Sequence, residues 1–145
     1  MNRRGFTLLE LLIALGLIAV MAALAVPRIG NALQRERVRS ARGAVETMHA
    51  KARAAAIQRG RRTALIFQSN RLLVLTRHPV TGALDTIGSP EDLNSRYGVT
   101  ITTTSDTLVF DPRGLGMASS DTKITVRKGA LTEGIVISSL GRILR

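Results

Sequence analysis

Between Phe6 and Val26 the chain reads FTLLELLIALGLIAVMAALAV, an apolar run interrupted by one charge, Glu10, and one hydroxyl, Thr7. A helix rising about 1.5 Å per residue carries such a run across about 30 Å, the hydrocarbon thickness of a bilayer. The run predicts a membrane-crossing helix. Past Pro27 the pattern becomes helical and two-faced: Val38, Ala41, Val45, Met48, Ala52 and Ala55 recur every three or four residues along one stripe. Pro27 lacks an N–H and is expected to kink the helix or melt it locally rather than end it. Gly60, with Arg59 in the last turn, is the expected stop. The Ala- and Val-rich stripe suits close packing on a sheet; a two-stranded coiled coil needs larger seam residues over a longer run.

After Gly60 the period shortens to that of strands. Thr63–Gln68 and Arg71–Thr76 are β-rich runs around Ser69-Asn70, which predicts a hairpin. Residues 78–94, with Pro79, Gly82, Gly88 and Pro90, read as loop. Val99–Thr103 and Thr107–Phe110 follow, broken by Ser105-Asp106, and Asp111-Pro112-Arg113-Gly114 reads as a turn. Lys123–Arg127 and Gly134–Ser138 predict a second hairpin around Lys128-Gly129. The fold class is therefore α+β. A long N-terminal helix, transmembrane in its first half and amphipathic in its second, packs on a small antiparallel β-sheet or β-sandwich head.

With 145 residues the chain has room for one modest domain beside the apolar run. Lys+Arg number 21 and Asp+Glu 10, for a net charge of +11. Basic character of this size raises the question of nucleic acid, but aromatics are only 3%, too few for a binder that stacks bases on rings. The charge is also uneven. Residues 28–62 hold ten Lys/Arg against two acids, whereas 63–145 hold nine against seven. The stem is basic and the head nearly balanced, so neighbouring subunits or anionic lipid headgroups are the expected partners of most of the charge.

Catalytic chemistry is not expected. There is no Cys and there are two His, which removes disulfides, thiolate sites and most His-based metal sites. Ser119, Ser120, Asp121 and His78 have no nucleophile elbow around them. Asp85, Glu91 and Asp92 lack the spacing of a calcium loop, and Gly114-Leu115-Gly116 is followed by no Gly-Lys-Thr. No metal, cofactor or enzymatic activity is expected.

Three fates fit an apolar run behind Arg3 and Arg4. It is a secretory signal cut near Ala23-Leu24-Ala25, a twin-arginine signal, or a retained helix. Glu10 favours the third, because an unpaired carboxylate within a membrane helix costs on the order of 3 kcal/mol and by default marks a function. The residues Arg3-Arg4-Gly5-Phe6-Thr7-Leu8-Leu9-Glu10 resemble the class III signal of type IV pilins and type II secretion pseudopilins. That resemblance implies removal of a leader, residues 1–5, by a prepilin peptidase cutting after Gly5. It further implies N-methylation of Phe6 and retention of 6–26, first as an anchor and then as the core of a helical filament built with other pilins or pseudopilins. Residues 27–60 then continue the stem and 61–145 form the head. Arginines after the run outnumber those before it, against the usual positive-inside bias. The peptidase motif nevertheless implies a single pass through the inner membrane, with the N-terminus cytoplasmic and the head periplasmic.

Cleavage after Gly5 leaves an α-amino cation on Phe6 with no partner of its own in hydrocarbon. Glu10 of a neighbouring subunit is expected to neutralise it, and opposite charges that pair in one register fix that register. The plainer alternative is a Glu that snorkels from the helix start.

Three later segments carry a weaker resemblance, to GspH/FimT-type minor pseudopilins. They are the helix end Lys51–Gly60, the turn Val109-Phe110-Asp111-Pro112-Arg113-Gly114, and the C-terminal stretch from Ile135 to Arg142. The resemblance implies a minor pseudopilin of type II secretion, with a type IV pilus minor pilin as the alternative. Some FimT-like members are DNA receptors with a Gly-Arg-x-Arg tail. Here the tail is Gly141-Arg142-Ile143-Leu144-Arg145, and a separation of three sends Arg142 and Arg145 to opposite faces of a strand. Arg61, Arg62, Arg142 and Arg145 are the candidate DNA contacts.

Overall fold

A computed structural model describes residues 7–78 and 80–144, apart from the side chains of 24–28. It contains helix α1 (Leu8–Arg59), strands β1 (Thr63–Gln68), β2 (Arg71–Arg77), β3 (Leu84–Thr86) and β4 (Glu91–Asp92), and the short helix α2 (Leu93–Tyr97). Strands β5 (Thr100–Thr103), β6 (Thr107–Phe110), β7 (Thr122–Lys128), β8 (Leu131–Ile137) and β9 (Ile143–Leu144) complete it. The chain divides into two compact units, Met1–Arg35 and Glu36–Arg145.

Helix α1 continues without a break through residue 27. It ends where the sequence predicts. Gly60 takes a left-handed φ of 59°. The Gly60 N–H donates to the Ile57 carbonyl at 3.2 Å and the Arg61 N–H to the Ala56 carbonyl at 3.1 Å. Those paired bonds satisfy carbonyls that the last turn would otherwise leave open.

In the larger unit all six stripe residues are buried, and His49 and Ala56 join them. All of them but Ala55 and His49 belong to one core cluster with the inward positions of two sheets. The first sheet runs β3-β2-β1-β6 with β4 also on β2, and the second runs β5-β7-β8-β9; every pairing is antiparallel. Alternation puts Thr63, Leu65 and Phe67 of β1 inward.

Two expectations need correction. The stretch 78–94 is not all loop, since it contains β3, β4 and the start of α2. These pieces are two to five residues long, too short for a hydrophobic period. Asp92 caps α2 by accepting from the Asn94 and Ser95 N–H groups at 3.0 Å each, and Gly98 closes it with φ 64°. The second hairpin turns at Gly129-Ala130, one residue later than expected, with Lys128 facing Leu131. The first turns at Ser69-Asn70 as predicted, and the Asn70 Oδ1 accepts from the Ile101 N–H at 2.9 Å, tying the two sheets together.

Candidate functional site: the assembly helix and a junction of three motifs

Helix α1 starts on a local device that the sequence reading missed. The Glu10 N–H donates to Thr7 Oγ1 at 3.2 Å, and the Leu11 N–H to the Thr7 carbonyl at 3.2 Å. Thr7 is thus the N-cap and Glu10 the third helical residue, the spacing of a capping box. The Thr-x-x-Glu pattern was available in the sequence as a signal. Glu10 also puts the only carboxylate of residues 8–35 near the positive end of the helix.

Every described side chain from Leu8 to Ala23 is exposed, including Leu8 at 78% and Met21 at 71%. A globular protein's surface helix has a polar face for water and an apolar stripe for the core. This one has no polar face. Its bare apolar surface demands lipid or other subunits. Among the described residues no helix is long and apolar enough to cross a membrane. The described side chains stop at Ala23, short of the roughly 20 residues a span needs. The span expected at 6–26 extends beyond them at both ends, and Gly5 and Phe6 lie outside the described residues.

The three family-like segments converge in space. A Cβ on Gly114 would meet Ile57 Cδ1 at 2.7 Å and Arg53 Cγ at 3.2 Å, so the turn lies directly on the helix end. The Gly116 N–H donates to the Leu140 carbonyl at 2.9 Å, joining the turn to the C-terminal stretch. Gly141, at φ 80°, sits where a Cβ would approach Phe110 Cε1 to 2.9 Å. Phe110 in turn meets the buried His49 edge-on, with ring centroids 5.2 Å apart. The turn is held by Asp111, whose carboxylate accepts from the Leu115 N–H at 2.8 Å and the Arg113 N–H at 2.9 Å. Those donors, that of Leu115 foremost, hold the Asp111 carboxyl below its usual range.

His49 gives the junction a pH dependence. Its Nε2 is buried without a partner. Burial pushes its pKa below the ordinary value, reinforced by Arg53 and opposed by the Gly141 backbone and Glu46. Below about pH 6.5 the unfolded chain takes up a proton that the folded chain resists. Stability is therefore complete above that pH and falls as pH drops, by up to about 1.4 kcal/mol per pH unit. Denaturant midpoints between pH 7.5 and 5 should show this slope, and His49→Leu should flatten it. Asp111 and Asp92, both with lowered pKa, lose their contribution only below about pH 4, outside that window.

The described candidate DNA contacts lie in two connections of the chain, α1–β1 and β8–β9. Arg61 and Arg62 are exposed in the α1–β1 connection, where the Arg62 carbonyl accepts from Thr76 Oγ1 at 3.3 Å. Arg142 is exposed between β8 and β9, its N–H donating to Ser138 Oγ at 3.0 Å. Arg145 lies outside the described residues.

The acidic loop residues are engaged with arginines. Asp85 pairs with Arg59 at 3.5 Å, Glu91 with Arg96 at 2.7 Å and Asp92 with Arg71 at 3.2 Å. His78 Nδ1 accepts from the Val80 and Thr81 N–H groups, while Asp121 accepts from that of Ser139. Among the described residues no group of three or more His, Asp or Glu is placed to hold a metal.

A family model described as "Prokaryotic N-terminal methylation motif" matches residues 1–26, and one described as "Type II transport protein GspH" matches residues 44–141. No curated protein matches the chain significantly. Two crystal structures of the type IV minor pilin FimU from Pseudomonas aeruginosa (strain PAO1) share its fold. One has a TM-score of 0.61 at 18% identity and covers 76% of this chain and 88% of its own. The other has a TM-score of 0.57 at 17% identity and covers 73% and 90%. With a pilin fold, an N-terminal methylation motif and a family match over more than half of its length, the chain belongs to the type II transport protein GspH family and is a minor pseudopilin.

Proposed function

We propose that this pseudopilin is cut after Gly5, N-methylated on Phe6, anchored in the inner membrane by residues 6–26 and then drawn into a type II secretion pseudopilus. In this reading the apolar helix exchanges lipid for the helices of its neighbours, and Glu10 pairs with the Phe6 amine of an adjacent subunit to set the register. The head, carried on the stem of residues 27–60, faces the periplasm. One observation carries the reading: an apolar helix exposed on all sides from Leu8 to Ala23, within a methylation motif. N-terminal sequencing of the mature protein tests it. A methylated Phe6 is the expected terminus; a chain beginning at Val26 would mean a discarded secretory signal.

The likeness to FimU favours a second reading, a minor pilin of a type IV pilus. Cross-linking in cells separates the two by whether the neighbours are pseudopilins or pilins. The receptor alternative rests on Arg61, Arg62, Arg142 and Arg145 alone.

A further inference from the structure

The outer face of the first sheet is apolar. Paired residues of neighbouring strands share a face, so Ala64 joins Leu75 and Val109, and Ile66 joins Leu73, on the side away from Thr63, Leu65 and Phe67. Met117 extends the first of these rows. Its N–H donates to the Val109 carbonyl at 2.9 Å, while the adjacent Gly116 bridges Phe110 on the inward side. Ala64, Ile66, Leu73, Leu75 and Val109 are half-buried, yet none belongs to the core cluster or packs against it. Met117 is 47% exposed.

An antiparallel sheet with one wet face carries polar residues on that face. The second sheet follows this rule, with Lys123, Thr125, Arg127 and Thr132 at outer positions of β7 and β8. By contrast β1 and β2 read TALIFQ and RLLVLTR, near-continuous apolar runs of the kind found where both faces of a sheet are covered. Arg77 ends the outer row of β2, and Arg62 immediately precedes β1 at the same end, where Thr63 faces Thr76. Both arginines are exposed, and neither forms an ion pair among the described residues.

We propose that this face docks a protein partner whose surface is apolar at its centre and carries carboxylates where it meets Arg62 and Arg77. The proposal does not depend on whether the filament is a pseudopilus or a pilus. Neighbouring strands lie about 4.8 Å apart, so the apolar band is roughly 15 Å wide and two rows deep, far short of the roughly 800 Å² each partner buries in a stable complex. It is the centre of a larger contact, and the charged border selects the partner.

Charge complementarity excludes a second copy of this chain. The carboxylates bordering the face, Asp92 and Asp111, are engaged by Arg71 and Arg113 at 3.2 and 3.5 Å. At the far end the outer positions are Gln68 and Arg71. Turned either way, a copy meets Arg62 and Arg77 with an amide or another cation, on a chain whose net charge is already +11. A lipid surface fits less well than a protein, because the band holds no Trp or Tyr of the kind that seats at a membrane interface. Leu, Ile and Val on a pleated sheet suit close packing against another protein.

The test places the photo-reactive residue p-benzoylphenylalanine in the full chain, in the cells that produce it, at one of two exposed positions. Thr107 lies beside Ile66 on the apolar face, and Thr132 lies on the outer face of the second sheet. Cross-linked peptides are then sequenced. From Thr107 the expected adduct is a segment of another protein that combines aliphatic residues with Asp or Glu, and Thr132 should not give it. Arg62→Gln/Arg77→Gln should lower its yield by roughly 3- to 10-fold at unchanged Tm, the loss expected for two border charge pairs. Ile66→Thr/Leu73→Thr should lower it as well, by removing the apolar centre. No adduct from Thr107, or one with a second copy, with lipid or with a segment lacking carboxylates, overturns the proposal. Equal yields from the two positions, or a yield indifferent to the arginine pair, do the same.

Discussion

Replacing Gly116 with alanine is expected to cost the head about 3 kcal/mol, the upper end for overpacking, and to lower Tm by roughly 10 °C. The new Cβ would lie 2.5 Å from the Gly141 nitrogen, 2.6 Å from the Ser139 oxygen and 2.8 Å from the Leu140 carbonyl carbon. All three are backbone atoms, so no rotamer change relieves the clash. The segment is also pinned: the Gly141 N–H donates to the Ser138 carbonyl at 2.8 Å, and Gly116 bridges Phe110. Gly141 has little room for retreat, since it is already packed against Phe110. Gly43→Ala is the contrast. It sits within helix α1 with nothing within 4 Å of its Cβ position, and alanine there should stabilise by about 0.5–1 kcal/mol. Calorimetry on the full chain in detergent reads both, and a Gly116→Ala melt matching that of Gly43→Ala would remove the close-approach argument.

That junction marks where sequence reasoning stops. The helical stripe was legible because a 3.6-residue period over Val38 to Ala55 has few competing explanations, and all six of its residues are buried. Strands β1 and β6 were legible by alternation and lie at the predicted residues. Strands β3, β4 and β9 owe their existence to the strands they pair with, Leu84–Thr86 having no buried position of its own. Sequence similarity suggested the helix end, the turn and the C-terminal stretch as three separate signals. Their meeting at Gly114, Gly116 and Gly141 is a tertiary fact, because a glycine chosen for a neighbour's backbone looks locally like a glycine chosen for a turn. The sequence left a sheet or a sandwich open, and the strand pairing was invisible beforehand: nothing local tells β5 to pair with β7 rather than with the adjacent β6. Net charge was informative only as a distribution. The +11 raises the question of a polyanion for the whole protein, but ten Lys/Arg against two acids in residues 28–62 and nine against seven in 63–145 put the excess on the stem.

Glu10→Gln is expected to leave processing and folding intact yet reduce incorporation into filaments by roughly 100-fold or more. Removing one partner of a buried charge pair costs about 3–5 kcal/mol, because the other charge is left uncompensated. The position of Glu10, three residues after the Thr7 N-cap, sharpens the choice of substitution. Its backbone N–H bonds to Thr7 Oγ1 whatever the side chain, and glutamine serves the third helical position of a capping box nearly as well as glutamate. Loss of the charge at the helix start costs only about 0.3–1 kcal/mol through the helix dipole. If Glu10 merely starts the helix, Glu10→Gln should assemble almost normally, with Glu10→Ala only slightly worse. If it neutralises the Phe6 amine of a neighbour, both variants should fail alike. Quantifying each variant in sheared filaments against its membrane pool distinguishes the two roles, and a Glu10→Gln chain found there at native levels would end the register argument.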